Sequence, residues 1–311
     1  MTSDSRLADC RARTTEIRAE YPFEPHVFDV DGTWMHYVDH GPVQGGPRGD
    51  EAILFVHGNP TWSFAFRHLI SAHSIEHRCI AVDHVGCGLS DKPADYDYTL
   101  ERHAENLTAL VDHLGLRRVL LVLHDWGGAI GMGFARRRPG LVQAIAVMNT
   151  GAFRSKHMPL RIAACRWPGI GPLFVRGFNA FSRGALTMAV EKPLSDVAKR
   201  GYLLPYASWN ERVAVQSFVE DIPTKPDDRS YAELVEIEKA LPSFKGRPTA
   251  AFWGMKDWCF TPEFLHGFLD RWPDMEVTCY EDAGHYLFED ERSALGKRLA
   301  GWIHRTALPK L

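Results

Sequence analysis

Asp125 closes an apolar run (119–123, then His124) and is followed by Trp126-Gly127-Gly128 and by a stretch rich in small residues, 129–135. That text predicts a buried strand, a very tight turn and a helix packed close against a sheet, with Asp125 at the turn tip and the helix N-terminus. A carboxylate there is kept ionised by the helix dipole and can attack an electrophilic carbon directly, forming an alkyl-aspartate ester. Capping a helix is the commoner use of an aspartate in that position, so the assignment turns on what else the chain supplies. Three further apolar runs end in reactive side chains. Residues 52–56 lead into His57-Gly58-Asn59-Pro60, 249–253 into Gly254-Met255-Lys256-Asp257, and 276–280 into Asp282-Ala283-Gly284-His285.

Taken one at a time, each of these has an ordinary structural role. Asn59 before Pro60 is a turn residue, Asp257 a helix cap, Trp126 a packing aromatic, and His285 a loop histidine. Together they define four strand ends, at Asn59, Asp125, Asp257 and His285. Groups just beyond the carboxyl ends of parallel strands are where open α/β sheets place their chemistry.

The elements that must hold them follow from the pattern. Residues 1–20 read as a polar helix or a frayed arm. Runs 26–30 and 34–38 flank Asp31-Gly32, a hairpin signal, and 42–50 is a Gly/Pro loop. Strands are expected at 52–56, 79–82, 119–123, 145–148, 249–253 and 276–280, with helices at 62–71, 99–114, 262–271 and 292–304. The alternation predicts a mostly parallel sheet with helices on both faces. It stops between 152 and 244, where Pro159, Pro168, Pro172, Pro193, Pro205, Pro223 and Pro226 separate amphipathic pieces such as 175–181 and 212–219. The expected organisation is a main domain over 1–151 and 245–311, with a helical cap inserted at 152–244.

The 311 residues carry a net charge of -3 and are 45% hydrophobic and 24% charged, an ordinary globular balance. Overall charge gives no case for a nucleic-acid partner or an anionic membrane. The polar first twenty residues lack the apolar core of a signal peptide, and no apolar run reaches transmembrane length. Six cysteines (Cys10, Cys79, Cys87, Cys165, Cys259, Cys279) are scattered without zinc or redox spacing, so reduced thiols in a cytoplasmic enzyme are expected. Gly86-Cys87-Gly88 lacks the full phosphate-binding fingerprint. No metal or cofactor is expected, and the loop from Asp83 to Ser90 is read as support for the turn beside the site.

The chain resembles the α/β-hydrolases of the haloalkane dehalogenase group. The resemblance is carried by His57-Gly58-Asn59-Pro60-Thr61-Trp62-Ser63, by Asp83-His84-Val85-Gly86-Cys87-Gly88-Leu89-Ser90-Asp91-Lys92-Pro93, by His124-Asp125-Trp126-Gly127-Gly128, by Trp253-Gly254-Met255-Lys256-Asp257 and by Asp282-Ala283-Gly284-His285. It implies that Asp125 is the nucleophile, His285 the base, Asp257 the acid orienting His285, and Asn59 with Trp126 the side-chain donors to the departing anion. Trp126, a donor with no acceptor, suits an anion, and backbone N–H groups near Asn59 and Trp126 would hold the oxyanion of ester hydrolysis.

A family variant places the acid after the earlier strand. Asn149 occupies that position here and cannot serve, which leaves Asp257. The Asp–His–Asp set with an Asn–Trp pair resembles the third subfamily of haloalkane dehalogenases, a pattern shared with the β-lactone decarboxylases of bacterial olefin biosynthesis. Cap pieces 175–181 and 218–223 fit the same branch. The expected activity is release of halide from an apolar haloalkane, with decarboxylation of a long-chain cis-β-lactone as the alternative. An epoxide hydrolase would need two cap tyrosines, from among Tyr202, Tyr206 and Tyr231. A fluoroacetate dehalogenase would carry Arg where Trp126 stands. A binding-only hydrolase-fold protein would have lost one of these groups, and none is missing. The substrate is expected to be small and apolar, and an oligomer is compatible with the sequence.

Overall fold

The computed structural model describes residues 2–43 and 49–306. Part of the predicted 42–50 loop therefore lies outside the described residues. Eight strands form one sheet: β1 (Pro25–Val30), β2 (Thr33–His40), β3 (Glu51–Val56), β4 (Cys79–Val82), β5 (Arg118–Asp125), β6 (Val142–Thr150), β7 (Thr249–Gly254) and β8 (Glu276–Tyr280). Their order is β1-β2-β4-β3-β5-β6-β7-β8. The first two strands are antiparallel and every pairing from β4 to β8 is parallel.

The helices, in chain order, are α1 (Ser3–Thr14), α2 (Arg67–His73), α3 (Leu100–His113), α4 (Trp126–Arg137), α5 (Leu160–Ala164), α6 (Ile170–Pro172), α7 (Ala180–Met188), α8 (Asp196–Leu203), α9 (Val213–Glu220), α10 (Tyr231–Ala240), α11 (Pro262–Arg271), α12 (Leu287–Asp290) and α13 (Arg292–Thr306).

The central strands have apolar residues at every position because both faces are covered. Leu54, Val56, Leu121 and Leu123 point into one core with Leu107 of α3 and Ile130 and Phe134 of α4. Their neighbours Ile53, Phe55, Leu120 and Val122 point into the other, with Ile70 of α2 and Leu299 of α13. Each such side chain contributes about 1.5–3 kcal/mol on full burial. At the hairpin, Asp31 and Gly32 both adopt positive φ (51° and 83°), the backbone that a two-residue turn between twisted strands requires.

Among the described residues between β6 and β7 there are helices and turns but no strand. Helix α10 returns to the main layer: Leu234 and Ile237 share the core of α4, and Glu233 pairs with Arg136 (2.8 Å) and Arg137 (2.5 Å).

Two helical predictions need correction. The 62–71 helix begins as a 3₁₀ turn at Ser63–Phe66 and becomes α-helical only from Arg67. The amphipathic piece 175–181 is not one helix. A π-helical turn, Leu173–Gly177, is followed by Asn179 in the left-handed conformation (φ 54°), and α7 starts beyond it. Apolar residues recur on both sides of the break, so periodicity runs through it, while Asn179, a residue type that tolerates the left-handed conformation, interrupts the helix.

Candidate active site

Asp125 sits where β5 meets α4, with φ 54° and ψ -129°. A left-handed non-glycine residue is strained and persists only where its surroundings fix it. Here the ladder between β5 and β6 shifts register between His124 and Asp125, the Thr150 hydroxyl donates to the Asp125 carbonyl, and Gly127 is the second residue of α4. A Cβ on Gly127 would collide with the Val56 carbonyl oxygen, so glycine is what lets the helix approach β3.

The Asp125 carboxylate is buried. Its Oδ1 accepts the Asn59 backbone N–H at 2.6 Å, and its Oδ2 lies 3.4 Å from His285 Nε2. Burial opposes ionisation, but contact with His285 and the Trp126 backbone N–H outweighs it, and Asp125 titrates below the ordinary carboxylate range.

His285 follows β8 and is held on its far side by Asp257, whose Oδ2 lies 2.7 Å from Nδ1. The Cys259 backbone N–H donates to the other Asp257 oxygen at 2.7 Å. Desolvation alone would depress the imidazole, yet the flanking Asp257 and Asp125 carboxylates push it up to about 10. The two neighbouring carboxylates thus favour the protonated ring.

A folded pKa above the unfolded value near 6.5 means that this pairing stabilises the fold fully below pH 6.5. The contribution is lost as pH rises through about 10. The stability gap between wild type and His285→Gln should thus narrow progressively between pH 7 and 10 in denaturant melts. A gap that is flat or widens over that range would contradict the imidazolium assignment.

The loop bearing Asn59 is pinned by a histidine pair. His57 Nδ1 donates to the Gly58 carbonyl at 2.7 Å, its Nε2 accepts the His84 backbone N–H at 3.1 Å, and His84 Nε2 donates to the His57 carbonyl at 3.0 Å. Asp83 accepts the backbone N–H groups of Ser63 (2.7 Å) and Leu89 (2.9 Å) and pairs with His36 at 2.8 Å. The Asp83–Ser90 motif is thus a buttress behind the Asn59 N–H. The Asn59 side chain donates from Nδ2 to the Val215 carbonyl of α9 at 3.0 Å, which leaves one amide hydrogen for the cavity. Trp126 is half-buried, lines the cavity and packs edge-on against Phe218; among the described contacts its indole N–H has no protein acceptor.

Above these groups lies a cavity of about 610 Å³, within the ordinary range for ligand pockets. Its walls include Phe153, Ile162, Val175, Phe181, Val219 and Phe264, and Asp125 is the single carboxylate among the described residues lining it. Such a chamber favours apolar molecules and gives an ionised carboxylate little competition from water.

Asn149 is not free for acid chemistry. It clamps Gly254 by accepting its N–H (2.8 Å) and donating to its carbonyl (3.0 Å), which fixes the strand end that leads to Asp257. None of Tyr202, Tyr206 and Tyr231 lines the cavity; Tyr202 donates to Glu289 (2.6 Å) and Tyr206 to the Thr61 carbonyl (3.4 Å). That removes the support for paired cap tyrosines.

Three neighbours of the site had no role in the sequence reading. Phe260 stacks on the His285 ring (5.6 Å between centroids, 16° between planes). His124 donates from Nε2 to the His285 carbonyl at 2.9 Å, and burial lowers its pKa to about 3, so it stays neutral. Tyr286 closes part of the cavity wall. Only His124 carried a signal, as a polar residue inside an apolar run.

No helix among the described residues is long and apolar enough to cross a membrane, and none of their His, Cys, Asp and Glu side chains cluster as metal ligands.

Residues 51–292 match the family described as alpha/beta hydrolase fold. The chain is 43% identical over 276 residues to a cis-3-alkyl-4-alkyloxetan-2-one decarboxylase from Shewanella oneidensis, covering 86% of this chain and 85% of that one. It is 32% identical over 275 residues to haloalkane dehalogenase 2 from Mycobacterium tuberculosis, covering 87% and 91%. Among solved structures, haloalkane dehalogenase DbeA from Bradyrhizobium elkani USDA94 superposes with a TM-score of 0.82 at 30% identity, over 91% of this chain and 98% of that one.

Proposed function

Because the chain belongs to the α/β-hydrolase fold family, in the branch of haloalkane dehalogenases and cis-3-alkyl-4-alkyloxetan-2-one decarboxylases, we propose that Asp125 displaces a leaving anion from saturated carbon and that the preferred substrate is a cis-3,4-dialkyl β-lactone. The observation that carries the chemistry is the Asp125 carboxylate, with one oxygen tied to the Asn59 N–H and the other facing His285 at the floor of an apolar chamber. The lactone is ranked above the haloalkane, reversing the order expected from sequence, because identity to the decarboxylase is 43% against 32% to the dehalogenase.

In the lactone reaction, Asp125 Oδ2 bonds to the ring carbon that bears oxygen, and the electrons of that C–O bond leave on the new carboxylate. The carboxylate carbon then departs as carbon dioxide. Its C–C bond pair forms the alkene and expels Asp125 with both of its own oxygens. No net proton is required. Asn59 Nδ2 and the Trp126 indole N–H hold the leaving carboxylate, and a helical cap formed by α5 to α9 encloses the two alkyl chains.

Haloalkanes are the second reading, favoured by the same donor pair and by the raised imidazole. Here Asp125 forms the ester and halide leaves. Esterification removes the Asp125 charge, one of the two anions that favour protonated His285, so the ring releases its proton to solvent; the neutral imidazole then takes a proton from water attacking the ester. Asp257 keeps the ring oriented and stabilises the imidazolium that forms.

Purified protein offered a long-chain cis-β-lactone and a bromoalkane panel in parallel, with alkene and bromide measured, tests the ranking. Bromide without alkene would reverse it, and neither product would refute the displacement. Trp126→Phe keeps the ring and deletes the donor. By analogy with loss of one oxyanion-hole donor it should slow the displacement step by roughly two to three powers of ten, while the melting temperature stays near wild type. Unchanged single-turnover rates with both substrate classes would make Trp126 a packing residue.

A further inference from the structure

The net charge of -3 conceals a strong asymmetry: from Trp126 to Val190 there is no Asp or Glu at all. Within that span the cap region carries Arg154, Lys156, Arg161, Arg166, Arg176 and Arg183. Arg154 pairs with Glu238. Among the described residues, none of the other five has a carboxylate within 4.0 Å; Arg166 donates to the Glu220 carbonyl and Arg176 lies over the Trp209 ring. The nearby acids, Glu220 and Asp228, follow from α9 onward and pair with none of them. The same region exposes its large apolar side chains: Leu160 at 87%, Phe178 at 64%, Trp167 at 59%, Leu173 at 51% and Trp209 at 44%. Phe174 and Phe178 touch each other, and Gly177 packs between Leu173 and Trp209, so much of this surface is one patch. It is continuous with the active-site cavity, because Trp167, Ile170 and Phe174 are both exposed and cavity-lining.

A soluble protein seldom leaves so many large apolar groups together in water without a use for them. Apolar side chains ringed by unpaired arginines match a surface with an oily interior and anionic headgroups. We propose that this cap face docks the protein on an anionic lipid surface, so that the cavity mouth opens on the docked side. The docking rests on the patch and its charge. Only its purpose, direct entry of a long-chain apolar substrate from the lipid phase, rests on the function proposed above.

The test is flotation of the full chain with phosphatidylcholine vesicles, with and without phosphatidylglycerol. Wild type should float with the anionic vesicles at low salt, far less with phosphatidylcholine alone, and progressively less as salt rises. Arg166→Gln/Arg183→Gln should weaken partitioning roughly five-fold per arginine, about twenty-five-fold together. Leu173→Ser/Phe178→Ser should weaken it comparably, with wild-type melting temperature as the control for folding. Asp125→Ala should float like wild type, which separates docking from the catalytic reading. Failure of wild type to float at low salt, or equal flotation of wild type and both double variants, overturns the proposal. So does a concentration-dependent dimer in vesicle-free sedimentation that Leu173→Ser/Phe178→Ser dissolves, since the face would then belong to a second copy of the chain.

Discussion

Asp125→Ala is expected to abolish turnover of β-lactones and bromoalkanes alike, by about four to six powers of ten, on the scale seen when a covalent nucleophile is deleted. No other carboxylate among the described residues lines the cavity to replace it: Asp257 lies behind His285, and Asn59 and Trp126 carry no nucleophilic group. The isotope outcome is sharper than the rate. In one turnover in heavy-oxygen water, a bromoalkane should leave label in the Asp125 carboxylate, because water attacks the ester carbonyl. A β-lactone should leave none, because the alkene forms by cleavage of the alkyl–oxygen bond and Asp125 departs with the oxygens it had. Label confined to the alcohol after one bromoalkane turnover would rule out the covalent route.

His285→Gln should separate the two substrate classes. Attack on saturated carbon needs no base, so a bromoalkane should still alkylate Asp125 and release one equivalent of bromide. Hydrolysis of the ester needs the base, and multiple turnover should fall by about two to four powers of ten. Intact-protein mass should then show the alkyl adduct. With a β-lactone the ester is discharged by loss of carbon dioxide without proton transfer, so His285→Gln should retain much of its turnover, less whatever the altered charge beside Asp125 costs. Sustained bromide release by this variant would remove His285 from the hydrolytic step.

The central sheet and the order of its reactive loops were legible because buried parallel strands leave uninterrupted apolar runs that end abruptly in polar turns. The runs 52–56, 119–123 and 249–253 fall within β3, β5 and β7 for that reason. The register shift before Asp125 was not legible, since backbone irregularity is set by the neighbouring strand rather than by the local sequence. Cap geometry was poorly legible for the same kind of reason: the break at Asn179 sits inside a continuing apolar pattern. Of the site, the side chains bound to strand ends were readable. The contact from Asn59 to Val215 was not, because its acceptor is a backbone carbonyl and any residue at 215 would present one. Phe260 against His285 is likewise a product of how the loop after β7 folds.

The bond from Asn59 to the Val215 carbonyl limits how far this protein can be treated as interchangeable modules. The amide proposed to meet the leaving group is aimed by a helix that also helps to wall the chamber, through Val219 one turn further on. Grafting the corresponding segment of a relative would therefore alter two traits at once: the shape of molecule admitted, and the leaving group tolerated. Chimeras joined at the cap boundaries should fold and keep every residue of the Asp125 loop, yet change their preference between bromide, chloride and carboxylate departure. Selection for a new substrate shape would meet the same coupling, with leaving-group preference shifting in lineages whose loop sequence never changes.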